Sequence, residues 1–352
     1  MIPHIKIGNR YIGANYPPLI IAELSGNHNQ DLSLAERMIE EAALAGAHAI
    51  KLQTYTADSM TLDVTSSDFT IKEKDSLWAG EKLYSLYQKA ATPYEWHEPL
   101  FERAKSLGML AFSSPFDTEA VDFLDGLGVP CFKIASFELT DLPLIAYAAS
   151  KGKPLIMSTG MASLSEIEEA VKCAKANGCH DIILLKCTST YPASPANTNL
   201  ITIPHMRETF ACQTGLSDHT GGIGVAVASV AFGASVIEKH FVLSREGGGV
   251  DAAFSIEPDE LNALVDETER AWQGVGQVCY GGSDAEKDAK QYRRSIYISQ
   301  DVKRGEVFSA DNLKVVRPAH GMAPKHWDEV IGKTAKCDLP KGTALDWEHI
   351  GQ

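Results

Sequence analysis

Eight short apolar runs, separated by polar stretches with helical patterning, constrain this chain more than any other feature of its sequence. They occupy residues 19–23, 49–53, 109–113, 131–135, 154–158, 181–186, 210–214 and 235–239. Most are continuous rather than alternating, as strands covered on both faces should be. Between the first two runs, Leu32, Ala35, Met38, Ile39 and Ala42 fall at helical spacing behind Asp31, a capping residue. Residues 163–177 repeat the pattern, with Ser163 and Glu166 spaced as a capping box and Gly178 as a stop. Residues 117–127 and 222–233 also read as helices. Eight strand–helix alternations predict an α/β fold, a (β/α)8 TIM barrel, in preference to a doubly wound open sheet. The long connection up to Gly108 should hold loops or an extra helix, and the Pro-, Thr- and Asn-rich connection 187–206 reads as a functional loop.

A helix from Pro258 to about Gln273 follows the eighth run. From Tyr292 the pattern changes to short strand-like pieces at 296–298, 313–316 and 334–337, with turns at Lys303-Arg304-Gly305 and Lys341-Gly342. The expected division is a barrel over 1–280, a linker over 281–291 and a small β-rich module over 292–352.

The formal charge, 32 − 46 = −14, argues against generic nucleic-acid binding. Any positive charge needed for an anionic ligand must therefore be gathered locally. No apolar run reaches eighteen residues, so no membrane-spanning helix is expected, and Met1 to Tyr11 holds no apolar stretch of signal-peptide length. The seven cysteines show no zinc-type spacing. Cys131, Cys187 and Cys212 sit in apolar runs and read as buried reduced thiols, which favours the cytoplasm.

In such barrels the reacting groups stand at the carboxyl ends of the strands. Polar residues end all eight runs, among them Glu23, Lys51, Ser114, Lys133, Ser136, Ser158, Ser189, Ser217, His219, Glu238 and His240. A lysine inside an apolar strand costs several kcal/mol unless it is paired or neutral. Lys51 and Lys133 are therefore either paired for packing or two fixed cations facing an anionic ligand. His219 and His240 follow consecutive strands and could converge on one divalent ion. With water or substrate oxygens completing the shell, such a site suits manganese, cobalt or magnesium better than a closed zinc centre. Glu23 has a structural use, as a partner for Lys51, and a chemical one, as a general base. The glycines Gly221-Gly222 read equally as an anion site or a tight turn, and the run Gly247 to Gly249 after the eighth strand is by itself a weak sign of phosphate binding.

Several of these residues lie in longer segments. They include Ile21-Ala22-Glu23 with Gly26-Asn27-His28, Ile50-Lys51-Leu52-Gln53-Thr54, Phe112-Ser113-Ser114-Pro115-Phe116-Asp117 and Phe132-Lys133-Ile134-Ala135-Ser136. Further along come Ser158-Thr159-Gly160-Met161, Cys187-Thr188-Ser189-Thr190-Tyr191-Pro192, Gly215-Leu216-Ser217-Asp218-His219-Thr220 and Glu238-Lys239-His240-Phe241. By their number and order the sequence resembles the sialic acid synthase family along nearly its whole length. The C-terminal module resembles that family's antifreeze-like (SAF) domain at Arg293-Arg294-Ser295-Ile296-Tyr297 and Val316-Arg317-Pro318.

The resemblance implies a metal-dependent condensation of phosphoenolpyruvate with an amino-sugar aldose. It implies that His219 and His240 hold the divalent ion, that Glu23 is the acid–base glutamate and that Glu238 is a second carboxylate near metal and sugar. It places Lys51, Lys133, Ser136, Ser158 and Ser217 around phosphoenolpyruvate, and Ser114, Ser189 and Tyr191 near the substrates. Arg317 matches an arginine that one subunit's module places over the other's active site, which implies a domain-swapped homodimer. Gln30, the segment from Gly248 to Ser255 and the segment from Arg317 to Gly321 look like the pseudaminic branch of the family, whose aldose is 2,4-diacetamido-2,4,6-trideoxy-L-altropyranose. The neighbouring readings are N-acetylneuraminate or legionaminate synthesis. Readings of another class are a Schiff-base aldolase working through Lys51 or Lys133, and a non-catalytic carbohydrate-binding protein.

Overall fold

A hairpin that the sequence pattern did not suggest precedes the first apolar run. Strands β1 (Ile5–Ile7) and β2 (Arg10–Ile12) pair antiparallel across Gly8-Asn9, and Gly8 takes φ 57°. Three residues are too few to show a period, yet Ile5, Ile7 and Ile12 join the main apolar core. The computed structural model describes residues 2–72 and 77–351. It divides into two compact units, Met1–Gly276 and Gln277–Gln352.

In the first unit, strands β3 (Leu19–Glu23), β4 (Ala49–Thr54), β5 (Leu110–Pro115) and β6 (Phe132–Ile134) run parallel. They continue into β7 (Leu155–Ser158), β8 (Ile182–Cys187), β9 (Gln213–Asp218) and β10 (Val236–His240). Strand β10 then pairs with β3 and closes the barrel, so the open-sheet alternative does not hold.

Helix α1 (Leu32–Leu44) starts where Asp31 accepts from the N–H groups of Ser33 and Leu34. The long second connection folds into α2 (Ala57–Met60), α3 (Leu83–Ala90) and α4 (Tyr94–Ser106). Then follow α5 (Thr118–Gly126), α6 (Leu142–Ser150), α7 (Leu164–Ala176), α8 (Thr202–Phe210), α9 (Gly224–Ala231) and α10 (Pro258–Val275). Ser163 and Glu166 form the expected reciprocal cap on α7. Among the described residues, no helix is long and apolar enough to cross a membrane.

The seventh strand corrects the sequence reading. The run 210–214 straddles two elements: Phe210 is the buried last residue of α8, Ala211 is left-handed at φ 50°, and the strand continues to Asp218. Gly215 breaks the apolar signal for a steric reason. A Cβ there would lie 2.1 Å from the carbonyl oxygen of Val236 and 2.8 Å from Leu185 Cδ2. Backbone cannot yield as a side chain can, so Gly215→Ala should destabilise the barrel by at least about 1–3 kcal/mol. A lowered urea midpoint with an unchanged slope would report this.

Two buried histidines, His28 and His97, set an acid limit on stability. Both ring edges of His28 and His97 are enclosed. The N–H of Gln30 donates to His28 Nδ1 at 3.2 Å, and His97 Nδ1 donates to the Pro93 carbonyl at 3.1 Å. Burial pushes both imidazoles down to about 4. Above pH 6.5 both folded and unfolded chains hold them neutral. Between pH 6.5 and 4 only the unfolded chain takes up the protons, so stability falls as pH falls, by on the order of 3 kcal/mol per histidine once pH 4 is passed. The melting temperature should therefore drop between pH 7 and 5, and less steeply in His28→Gln and His97→Gln.

In the C-terminal unit, β11 (Ser295–Ile298) pairs antiparallel with β12 (Leu313–Val316) over a core that includes Ile296, Phe308, Leu313 and Leu345. The expected strand at 334–337 does not form. Thr334 and Ala335 make only isolated bridges, and the chain turns outward at Lys336, Cys337 and Asp338. There the Asp338 carboxylate accepts from Lys303 Nζ and the Arg304 N–H.

Candidate active site

Strand alternation decides which of the polar strand ends meet. Along β10, Glu238 and His240 face one way and Lys239 the other. Register puts His240 level with Glu23, and Glu23 level with Lys51. Glu238 and His240 line a cavity of ≈ 700 Å³ at the carboxyl ends of the strands. Lys239 points away from it and is satisfied by Asp218 Oδ2 at 2.8 Å and the Thr220 carbonyl at 2.7 Å. Asp218 therefore belongs to a packing pair off the cavity.

Lys51, Lys133, Ser114, Ser136, Ser158, Ser189, Tyr191, Ser217, His219, Glu238 and His240 all line this one cavity. Lys133 donates to Ser158 Oγ at 2.7 Å and stands 3.6 Å from Glu238 Oε1. Lys51 pairs with Glu23, donates to Ser114 Oγ at 3.3 Å and stands 4.0 Å from Glu238 Oε2. Ser217 donates to Glu238 Oε1 at 3.1 Å. Glu238 thus lies between two ammonium groups without fully engaging either, and their remaining N–H groups are left for a ligand. Burial raises the Glu238 carboxyl, but Lys133 and Lys51 outweigh it and hold the group low. Burial likewise pushes Lys133 down.

Glu23 lies directly behind Lys51 rather than in the cavity wall, and it is wholly enclosed. Its carboxylate accepts from Gln53 Nε2 at 3.2 Å and from the Ser25 N–H at 3.1 Å. Burial pushes it up, Lys51 opposes and Glu238 adds to the rise. It is the partner of Lys51 foreseen from sequence, and its enclosure strengthens its hold on a proton. Arg317 is exposed in the C-terminal unit, just after β12.

The two imidazoles have their ring centroids 5.3 Å apart. His219 Nδ1 donates to the Thr188 carbonyl at 3.0 Å, which leaves Nε2 as the atom able to ligate once it gives up its proton; burial lowers this ring, but Cys187, Thr188 and Glu238 outweigh it and push it up. His240 Nδ1 is buried without a hydrogen-bond partner, 3.5 Å from Asp251 Oδ2. Burial, with His219 adding, lowers His240 well below the usual imidazole range, so it is neutral and able to ligate. Among the described residues no group of three His, Cys, Asp or Glu side chains is arranged to hold an ion. Two imidazole donors with an incomplete protein shell fit an open divalent site completed by water or substrate oxygens, and do not fit a closed structural one.

Sequence reasoning missed Asp251 as part of this site and placed Gln53 at a strand end without a role. Gln53 Nε2 reaches both Glu23 and, at 3.1 Å, Ser25 Oγ. Asp251 accepts from Ser25 Oγ, and its N–H donates to Asn27 Oδ1 at 3.1 Å. The glycine run explains its arrival. A Cβ on Gly249 would lie 2.7 Å from Asn27 Oδ1, so glycine lets the loop after β10 close down on the first motif.

A closed parallel barrel with paired lysines and paired imidazoles at its carboxyl end is the setting in which the sequence relationships can be read. Residues 38–280 match the NeuB family and residues 293–351 the SAF domain, and the chain belongs to the NeuB family. It is 43% identical to the pseudaminic acid synthase of Campylobacter jejuni, over 97% of this chain and 98% of that one. The N,N'-diacetyllegionaminic acid synthase of Legionella pneumophila is 37% identical over 96% of each chain. Among solved structures, the N-acetylneuraminic acid (sialic acid) synthetase of Leptospira borgpetersenii superposes with a TM-score of 0.74 at 36% identity, covering 83% of this chain and 97% of that one.

Proposed function

We propose that this chain condenses phosphoenolpyruvate with 2,4-diacetamido-2,4,6-trideoxy-L-altropyranose and water, giving pseudaminic acid and phosphate. The observation that carries the chemistry is the meeting of Lys51, Lys133, His219 and His240 in one cavity around Glu238. The choice of sugar is supported by the likeness to the Campylobacter enzyme over nearly the full length.

Lys133 with Ser158, and Lys51 with Ser114, offer N–H and O–H donors to the carboxylate and phosphate oxygens of the enol phosphate. Carbon 3 of that substrate bonds to the aldehyde carbon, and the aldehyde oxygen takes up a proton. Water adds at carbon 2 and gives up a proton. The hydroxyl now on carbon 2 gives up its proton and closes to the carbonyl as the bond from carbon 2 to the phosphate oxygen breaks, and phosphate leaves with that electron pair. Glu238 faces these events directly. Glu23 acts at one remove, exchanging protons through its contacts with Lys51, Gln53 and Ser25. A divalent ion (Mn2+, Co2+ or Mg2+) held by His219 and His240 supplies Lewis acidity toward the sugar carbonyl when bound.

Arg317 as a sugar contact and a domain-swapped homodimer belong to the same proposal on the strength of the sequence likeness. So does a cytoplasmic setting, which suits the buried free thiols of Cys131, Cys187 and Cys212. Arg317→Ala should raise KM for the aldose, and sedimentation should give a dimer.

The deciding experiment is mass spectrometry of the product, with phosphate release, from phosphoenolpyruvate and each of three aldoses: the trideoxy L-altro sugar, N-acetylmannosamine and the legionaminic precursor. Turnover confined to one of the other two would overturn the choice of sugar. A borohydride-trapped pyruvate adduct on Lys51 or Lys133 would overturn the mechanism.

A further inference from the structure

Helix α3 is amphipathic in an unusual direction. Leu83, Leu86, Tyr87 and Ala90, at i, i+3, i+4 and i+7, all line the substrate cavity. Its opposite face is polar: Gln88 and Lys89 are exposed, and Lys89 pairs with Glu81. An amphipathic helix ordinarily turns its apolar stripe onto the core. Here Leu83, Leu86 and Tyr87 remain half-buried, outside the apolar core beneath the barrel. Phe116 and Met60 extend the same wall, and Tyr55 packs edge-on to both Tyr87 and Phe116 at 5.8 and 5.2 Å. The cavity therefore has a cationic side, carrying Lys51 and Lys133, and an apolar side supplied by the connection between β4 and β5.

Resting on the reaction proposed above, we infer that the α3 stripe selects the aldose by packing against its C6 methyl group. Phosphoenolpyruvate is charged at both ends and has no group suited to this wall. The acetamido substituents each carry an N–H and a carbonyl, which Leu83 and Leu86 cannot satisfy. The C6 methyl is the one substituent that asks only for apolar contact. A hydroxyl at that carbon would be desolvated against leucine without a partner. Leu83, Leu86 and Tyr87 are thus specificity-determining residues, and α3 is the element that separates 6-deoxy sugars from their 6-hydroxy counterparts.

The test compares 2,4-diacetamido-2,4,6-trideoxy-L-altropyranose with its 6-hydroxy counterpart, using the full chain. Wild type should favour the 6-deoxy sugar in kcat/KM by about 10- to 100-fold, the discrimination an apolar pocket reaches against an analogue that adds a hydroxyl. In Leu83→Asn and Leu86→Asn that preference should shrink several-fold, through a higher KM for the 6-deoxy sugar at unchanged KM for phosphoenolpyruvate. Leu86→Met and Gln88→Ala should keep the preference, which separates lost contact from lost folding. A preference retained in both Asn variants, or an equal loss on both sugars, overturns the role of α3 and leaves the proposed reaction standing. A wild-type chain that does not turn over the 6-deoxy sugar overturns both.

Discussion

Lys133→Met should lower kcat/KM for phosphoenolpyruvate by about 100- to 1,000-fold, the cost of removing one preorganised donor from an anion-stabilising site. The magnitude follows from where the ammonium stands. Lys133 is 2% exposed, hydrogen-bonded to Ser158 Oγ, and held by burial toward losing its proton. Such a group is costly to keep; unlike Lys239, which Asp218 neutralises, it stands in the cavity wall where its charge can meet an anionic ligand. Methionine keeps the length and removes the charge, while Glu238 retains Lys51 and Ser217 as partners. The chain should still fold, with a lowered melting temperature, because Glu238 stays buried after losing the nearer of its two cations. Ser158→Ala, which removes the orienting hydroxyl but not the charge, should cost less, about 10-fold. Full activity in Lys133→Met would leave the lysine as a packing device and remove the anion site from the proposal.

The second large effect concerns the imidazoles. His219→Ala and His240→Ala should each weaken Mn2+ binding by at least about 100-fold, as loss of a ligand exceeds loss of an outer partner, and should abolish turnover. Binding is read by calorimetry on the folded variants, independently of activity. EDTA treatment of the wild type should silence it, and Mn2+, Co2+ or Mg2+ should restore it. His219 and His240 are not equivalent. Thr188 fixes the tautomer of His219 through its carbonyl, whereas His240 Nδ1 faces Asp251 alone. Asp251→Asn should thus disturb His240 selectively and weaken binding less than either histidine variant. A wild-type chain fully active after EDTA would dismiss the metal.

Much of the fold was legible because burial writes itself into composition. Seven of the eight strands lie within a residue or two of continuous apolar runs, since a strand covered on both faces has no polar side. The seventh was displaced where a steric requirement overrode hydrophobicity, at Gly215 against Val236. The caps at Asp31 and Ser163 were legible because their hydrogen bonds are local. The hairpin over residues 5–12 was not, because its reason for existing is packing against distant residues.

The sequence by itself determined that polar groups end every barrel strand, and that two lysines and two histidines need partners worth their desolvation. Only the tertiary structure decided which of them meet. Closure brings β10 beside β3 and so sets His240 level with Glu23, residues more than two hundred positions apart. Alternation sends Lys239 and Asp218 out of the cavity and Glu238 into it. The fold of the loop after β10 delivers Asp251, which leaves no local periodic trace, and the connection before α4 supplies an apolar wall, whose helical period shows that one face is covered but not what it faces. Periodicity records which side of an element is buried, whereas a catalytic constellation depends on register and closure between elements far apart in the chain.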